Sequence, residues 1–515
     1  MPIFQPHRLL SSIQSALAAT VLIASTGLGP SASWAQASLP TLGDGSDITT
    51  SQERRLGDRI IRELYRDPDY LDDPVLGEYV QSLWQPLLAS ARARGELSPE
   101  LDERFAWEIL LGRDRTVNAF ALPGGYLGVH LGLMAVVATR DELASVLAHE
   151  LSHVTQRHIA RLIAQQNRQG PLLLGAMALA VLAASKSPNA SSALVLGGQA
   201  VALQNQLNFS RDMEREADRI GYGLMEPAGF APGGFVTMFE KLQHANRLND
   251  NGSWPYLRSH PLTTQRMADM QSRLPPGTPS TVVVTGLEHG MVAARARVLS
   301  QRGPDALRQW VAEPQTSGFA SLSPARRAAA LYAAALGSSQ GRDFEPARVF
   351  LARLEPLART DAAALRQMRL LAAEIELAAG RPEAALQQLQ AGLAGPQTPR
   401  RPELMLRTEA LLRTGRAGEG VEALQAWLGQ HPRDASVWQQ LSSVWQAQGQ
   451  ALRAVRADAE AHALRYDYAA AVDRFKAGQD LARRSSAPED YIEASIIDTR
   501  LRALQSLLRE QAAER

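Results

Sequence analysis

The stretch Leu147–His158 reads LAHELSHVTQRH, and within it the five residues from His149 read HELSH. Two histidines four positions apart on a helix lie about 40° apart around the axis and roughly 6 Å along it, so both imidazoles can reach one ion. A glutamate follows the first of them, Glu150. It stands where a carboxylate can take the proton of an attacking water and return it to a leaving nitrogen. This is the HExxH pattern of zinc-dependent hydrolysis, in which the ion keeps one position for water. His158 falls about 140° from His153 on a continuous helix, so it is expected to point away, as a surface residue or one behind the ligands.

Two imidazoles leave the site short of a protein ligand. The chain has no cysteine, which removes thiolate ligands, disulfides and lipid attachment at a cysteine. A third histidine six residues after the second would extend the pattern, but Gln156 and Ile159 stand at the two diagnostic places. A downstream carboxylate is the remaining common solution. The segment SRDMEREADRIG, residues 210–221, offers Glu214 with Asp218 one helical turn later, in the pattern ExxAD. Glu214 can ligate, and Asp218 can accept a hydrogen bond from a ligand imidazole and fix its tautomer.

The elements that must hold these groups can be read in outline. Apolar positions recur at helical spacing from Gln52 to about Leu88. FAWEIL from Phe105 looks like a strand, and VNAFALPGGYLGV from Val117 like a second extended piece with a Pro-Gly-Gly turn. One long helix is expected from about Arg140 to Gln166, opened by a capping box of Thr139 with Glu142. Between Arg168 and Arg211 the only charge is Lys186, and the apolar runs there suggest a helical hairpin over 171–203. Such a hairpin between the two halves of the site could be a lid, a docking surface or a peripheral membrane contact.

Taken in order, NAFALPGGYLGV, ELASVLAHELSHVTQRHIAR, SRDMEREADRIG and SHPLTTQRM resemble the HtpX-like gluzincin peptidases, most closely the secreted branch with a C-terminal tetratricopeptide array. The resemblance covers about Gln52 to Leu274 for the peptidase and, more loosely, Ala325 onward for the repeats. It implies one zinc held by His149, His153 and Glu214, with Glu150 as base and Asp218 in support. His260 in SHPL is the first choice for a donor to the oxyanion, with a fourth zinc ligand that keeps the enzyme latent as its rival role. Arg266 is assigned to the local fold. The strand Asn118, Ala119, Phe120, Ala121 resembles the family's substrate-lining strand, where an extended chain would add by β-augmentation.

The remaining sequence sets the context. The chain has 515 residues, 45% hydrophobic and 21% charged, which describes folded domains rather than disorder. With 54 basic against 53 acidic residues, there is no global electrostatic footprint for nucleic acid. An apolar run from Leu9 to Leu28 followed by SASWAQA reads as a secretory signal, cleaved after Ala35 or Ala37. After LPPGTPSTVVVTG the texture becomes Ala, Leu, Gln and Arg, with glycines at 341, 380, 415 and 449, close to the tetratricopeptide period. Trp438, Leu441, Trp445 and Ala454 form the best-matched unit.

The expected architecture is therefore α+β: a mostly helical gluzincin peptidase domain with a small β-sheet over 38–275, a connector over 276–320, and an all-α repeat solenoid over 321–515. The connector is expected to leave the two ends independent, so that a chain ending near Pro324 still folds. What the resemblance implies for function is periplasmic quality control of outer-membrane β-barrel proteins by a metalloendopeptidase. Unfolded or misassembled outer-membrane proteins would be its clients and the barrel-assembly machinery a partner of the repeats. The alternative is a binding chaperone or adaptor whose zinc site is largely closed.

Overall fold

The computed structural model describes residues 48–167, 210–247, 253–275, 284–301, 303–390, 400–484 and 490–513. The signal and the hairpin over 171–203 lie outside them. Among the described residues no helix is long and apolar enough to cross a membrane.

The N-terminal half is helical around a small mixed sheet. Helix α1 (Thr50–Leu64) is followed by strand β1 (Tyr70–Leu71), α2 (Pro74–Ala93), α3 (Pro99–Arg104) and β2 (Glu108–Gly112). Strands β3 (Ala119–Leu122) and β4 (Tyr126–His130) form the hairpin that the Pro-Gly-Gly turn announced. The sheet order is β1-β2-β4-β3, with β2 and β4 parallel and the other pairs antiparallel. β3 is thus an edge strand. Its register is fixed partly by Gly128, since a Cβ there would stand 2.3 Å from the Phe120 ring.

Helices α4 (Leu131–Val136) and α5 (Arg140–Thr155) lead to α6 (His158–Asn167). The long helix expected here is two helices. The chain turns at Gln156 and Arg157, and Arg157 takes a φ of 51°, a left-handed conformation that stops helical propagation. At the start of α5 the Thr139 side chain accepts from the Glu142 amide as expected, but the Glu142 carboxylate reaches the Ala138 amide and Lys241 instead of closing the box. Helices α7 (Arg211–Met225), α8 (Gly233–Arg247), α9 (Tyr256–Ser259) and α10 (Thr264–Arg273) complete this half.

The stretch read as a connector holds two helices, α11 (Leu287–Ser300) and α12 (Pro304–Ala312). Helix α11 is buried on two sides: Val292 and Ala296 join the core of the N-terminal half, while Met291, Ala294 and Val298 join the next core. Ten further α-helices follow among the described residues: α13 (Pro324–Gln340), α14 (Phe344–Ala358), α15 (Ala362–Ala378), α16 (Pro382–Gln390), α17 (Arg401–Arg413), α18 (Val421–Gln430), α19 (Ala435–Ala447), α20 (Ala451–Leu464), α21 (Tyr468–Arg484) and α22 (Asp490–Ala513). Gly380, Gly415 and Gly449 adopt φ near +74° just past α15, α17 and α19, where a residue without a Cβ is favoured. After α13 that role passes from Gly341 to Arg342, with φ 61°.

Ion pairs tie the helical C-terminal half back onto α2 and the residues before it. Arg295 meets Asp73 at 2.6 Å, Arg366 meets Glu78, and Arg401 meets Asp72 at 2.8 Å. Arg295 and Asp73 are both buried, so this contact is part of the interior and not a solvated surface pair.

Candidate metal centre

Helix α5 is buried from Glu142 to Thr155, and it carries His149 and His153 inward against α7. Ser210 caps α7, its side chain accepting from the Met213 amide, and the first two turns then present Glu214 and Asp218 on one face. The short α9 ends at His260, whose ring stacks on Tyr256 at 4.6 Å. These elements bring four donors together: His149, His153, Glu214 and His260, all buried, with ligand atoms within 4.8 Å of one another.

The spacing of these atoms is informative. His149 Nε2 lies 3.0 Å from His153 Nε2 and 3.3 Å from His260 Nδ1. Glu214 Oε1 lies 3.0 Å from His260 Nδ1 and 3.4 Å from His153 Nε2, and its Oε2 lies 3.5 Å from His149 Nε2. Four ligands at 2.0–2.1 Å from one tetrahedral ion are separated by about 3.3 Å. Three buried ring nitrogens and a carboxylate converging at these separations are what a divalent ion would reconcile, so the donor set fits a metal.

Each donor is oriented from behind. His149 Nδ1 lies 2.9 Å from Asp218 Oδ1, so that carboxylate fixes the proton on Nδ1 and leaves Nε2 for the centre. Asp218 is in turn gripped by Arg266, whose Nε and Nη2 lie 2.6 and 2.8 Å from its two oxygens. Arg266 Nη1 also reaches Glu214 Oε2 at 2.7 Å. The arginine assigned to the local fold thus touches one donor and the support of another. Its presence in the SHPLTTQRM segment was visible, but no periodicity linked it to residues 214 and 218.

Of the two places expected for His158, the structure gives the one behind the ligands and not the surface. His158 is fully buried, with Nδ1 2.9 Å from His153 Nδ1 and Nε2 3.0 Å from Glu216 Oε2. The break at Arg157 swings it back towards the helix it would otherwise leave. Glu216 and Arg161, 3.0 Å apart, complete this chain. Sequence reasoning missed Glu216, which looks like one more charge in a charged run.

Glu150 is buried beside the donors. Its Oε2 accepts from the Ala121 amide at 3.0 Å, and its Oε1 lies 3.4 Å from His260 Nε2. Burial pushes its carboxyl above the ordinary range, against the opposing pull of His260 and His149. Glu214 behaves oppositely: burial works against its charge, but the surrounding imidazoles hold it well below the usual carboxylate range. Neighbouring carboxyl groups with opposite shifts suit one to bind a cation and the other to exchange protons. The strand residues Asn118, Ala119, Phe120 and Ala121 are all buried, and β3 runs alongside α5.

The sequence profile of peptidase family M48 matches residues 78–274. The beta-barrel assembly-enhancing protease of Escherichia coli is 29% identical over 454 residues, covering 87% of this chain and 88% of that protein. A Vibrio cholerae relative is 34% identical over 321 residues, which span 61% of this chain and, just under two thirds, 63% of that protein. The mitochondrial metalloendopeptidase OMA1 of Saccharomyces cerevisiae is 29% identical over 203 residues, 38% of this chain and 55% of its own length. The four donors, Glu150 and Arg266 all fall inside the profile match; over these residues the chain is similar to the family M48 peptidases, and over most of its length to the beta-barrel assembly-enhancing proteases.

Proposed function

We propose that the protein is a periplasmic zinc metalloendopeptidase in outer-membrane protein quality control, degrading β-barrel precursors that misfold or stall. His149, His153 and Glu214 would hold one zinc, with Asp218 and Arg266 fixing their orientation. Bound zinc supplies a Lewis acid that polarises the scissile carbonyl and lowers the pKa of water. Glu150 takes a proton from the attacking water at its carboxylate and returns it to the leaving amide nitrogen. Burial raises its carboxyl above the ordinary range, which favours holding that proton between the two transfers. The edge strand β3 would receive the substrate backbone, which every extended polypeptide can offer. The names of the relatives support the client class, and the reading of residues 1–37 as a secretory signal supports the compartment. The C-terminal helices, read as tetratricopeptide repeats, would recruit clients or the barrel-assembly machinery.

The observation that carries this reading is the convergence of four buried donors beside Glu150, itself bonded to β3. It also favours a resting state in which catalysis is held back. His260 Nδ1 lies 3.0 and 3.3 Å from Glu214 and His149, so His260 would be a fourth protein ligand to the ion. As a ligand His260 would take the position that water needs, which would make it a gate rather than a fixed oxyanion donor. This brings the chaperone alternative partly inside the enzyme reading.

The test compares envelope proteins in cells carrying wild type, Glu150→Gln and His260→Ala forms. Accumulation of outer-membrane precursors with Glu150→Gln, and faster turnover with His260→Ala, are expected. Unchanged precursors with Glu150→Gln would mean that biological output comes from binding alone. Slower turnover with His260→Ala would restore the oxyanion role.

A further inference from the structure

Helix α1 is a strut between the edge strand and the C-terminal helices. Gly57 lets it lie against the β3–β4 turn, since a Cβ there would stand 2.0 Å from the Pro123 carbonyl oxygen. Glu53, in the same helix, receives the Gly124 amide and pairs with Arg157 at 3.0 Å, next to the end of α5. Asp58 Oδ1 accepts from Arg54 Nε and from the Tyr126 hydroxyl, both at 2.7 Å.

The last member of this cluster comes from far along the chain. Tyr466 lies in the turn between α20 and α21, and its hydroxyl is 2.6 Å from that of Tyr126 and 3.4 Å from Arg54 Nη2 and Arg433 Nη2. Its φ is 59°, a region that a residue with a bulky side chain seldom enters. Local strain of this kind persists when surrounding contacts over-determine the position. The buried Tyr466 ring joins Ile61, Leu110, Tyr126, Phe120 and Leu122 in one apolar cluster. Phe120 and Leu122 are the β3 side chains that enter this cluster. On the opposite face of the same strand Ala119 and Ala121 belong to the core that includes α5, and the Ala121 amide binds Glu150.

We propose that Tyr466 is a positioning residue for β3, through which the C-terminal helices set the geometry of the peptidase edge. This rests on the reading that β3 receives substrate. The hydroxyl holds Tyr126 and α1, the ring backs Phe120 and Leu122, and together they fix the strand from the side away from Glu150. A peptidase whose edge strand is seated by its C-terminal helices is sensitive to whatever those helices bind.

The test uses the full-length zinc-loaded protein with Tyr466→Phe, which keeps the ring and removes the hydroxyl. Amide exchange over residues 119–126 should quicken while α5 and zinc content stay as in wild type. The KM for an extended peptide should rise about three- to tenfold, the factor set by the net worth of one hydrogen bond, with kcat changed less. Tyr126→Phe probes the same hydroxyl pair from the other side, and the double variant should add little to either single change. A photoactivatable peptide tests the strand itself: failure to crosslink to β3 in wild type overturns both readings. A crosslink to β3, with exchange and KM unchanged in both variants, overturns the role of Tyr466 alone.

Discussion

The metal centre and the joint between the two halves are built in opposite ways. In the centre, the donors come from α5, α7 and the end of α9, within about a hundred residues, and two of them are one helical turn apart. At the joint, Asp73 meets Arg295, Glu78 meets Arg366, Asp72 meets Arg401 and Tyr126 meets Tyr466, partners separated by 222, 288, 329 and 340 positions. Chemistry concentrates rare residue types at fixed local spacing. Docking draws on common residues whose partners are chosen only by the tertiary fold. The contrast teaches that the centre can be complete in its own segment while the strand beside it is not.

Truncation is the harshest way to break the comparison. A chain ending at Pro324 loses Arg366, Arg401 and Tyr466 and exposes Met291, Ala294 and Val298 on α11. Such a chain is expected to lack a cooperative melt, contrary to the independence that the composition of residues 274–286 suggested. Calorimetry on the purified fragment checks this. A sharp transition near the wild-type midpoint would restore two separable domains.

A smaller effect is expected from Arg295→Met. Asp73 and Glu374 would keep their charges without the guanidinium that now lies 2.6 and 2.7 Å away. Breaking a buried pair in this way costs about 3–5 kcal/mol. Because Asp73 also accepts from the Val75 and Leu76 amides as the cap of α2, it can be held there in the variant, so the lower end of that range is expected. Denaturant unfolding measures it, and metal content at low denaturant should not change.

The smallest effect is a pH dependence of the same joint. His289 on α11 lies 2.7 Å from the Tyr79 hydroxyl through Nδ1 and 3.0 Å from the Val137 carbonyl through Nε2, so it is a neutral imidazole that accepts from Tyr79 and donates to Val137. Burial lowers its pKa, against the raising influence of Val137. The unfolded chain therefore takes up this proton first on acidification. Its stabilising contribution is full above about pH 6.5 and is lost, by at most about 1.4 kcal/mol per pH unit, as pH falls through the depressed folded value. Thermal midpoints of wild type and His289→Gln should converge as pH is lowered from 7.5 to 5.

Much of the centre was legible because helix geometry turns a spacing of four into a shared ion. The ExxAD pair was legible for the same reason. For His158 the sequence leaves surface and a place behind the ligands both open, because the period assumes an unbroken helix and the turn at Arg157 carries no glycine or proline to signal it. Arg266 and Glu216 were charged residues among many until the fold placed them behind Asp218 and His158. The β3–β4 hairpin was announced by its Pro-Gly-Gly turn, whereas the order β1-β2-β4-β3 depends on a crossover that no local pattern encodes. Helix α11 was read as connector because its apolar residues face two cores at once, which blurs the one-sided period of an ordinary surface helix.

The central claim is that His149, His153 and Glu214 hold one zinc for Glu150 to work beside. Metal analysis of the purified mature protein and its variants tests it most directly. One zinc per chain is predicted for wild type and for Glu150→Gln, whose side chain is not among the donors, together with loss of about 10²–10⁴-fold in peptide cleavage by the latter. Glu214→Gln should lose most of the metal, because an amide removes the one anionic ligand. Full zinc occupancy in Glu214→Gln would contradict the assignment.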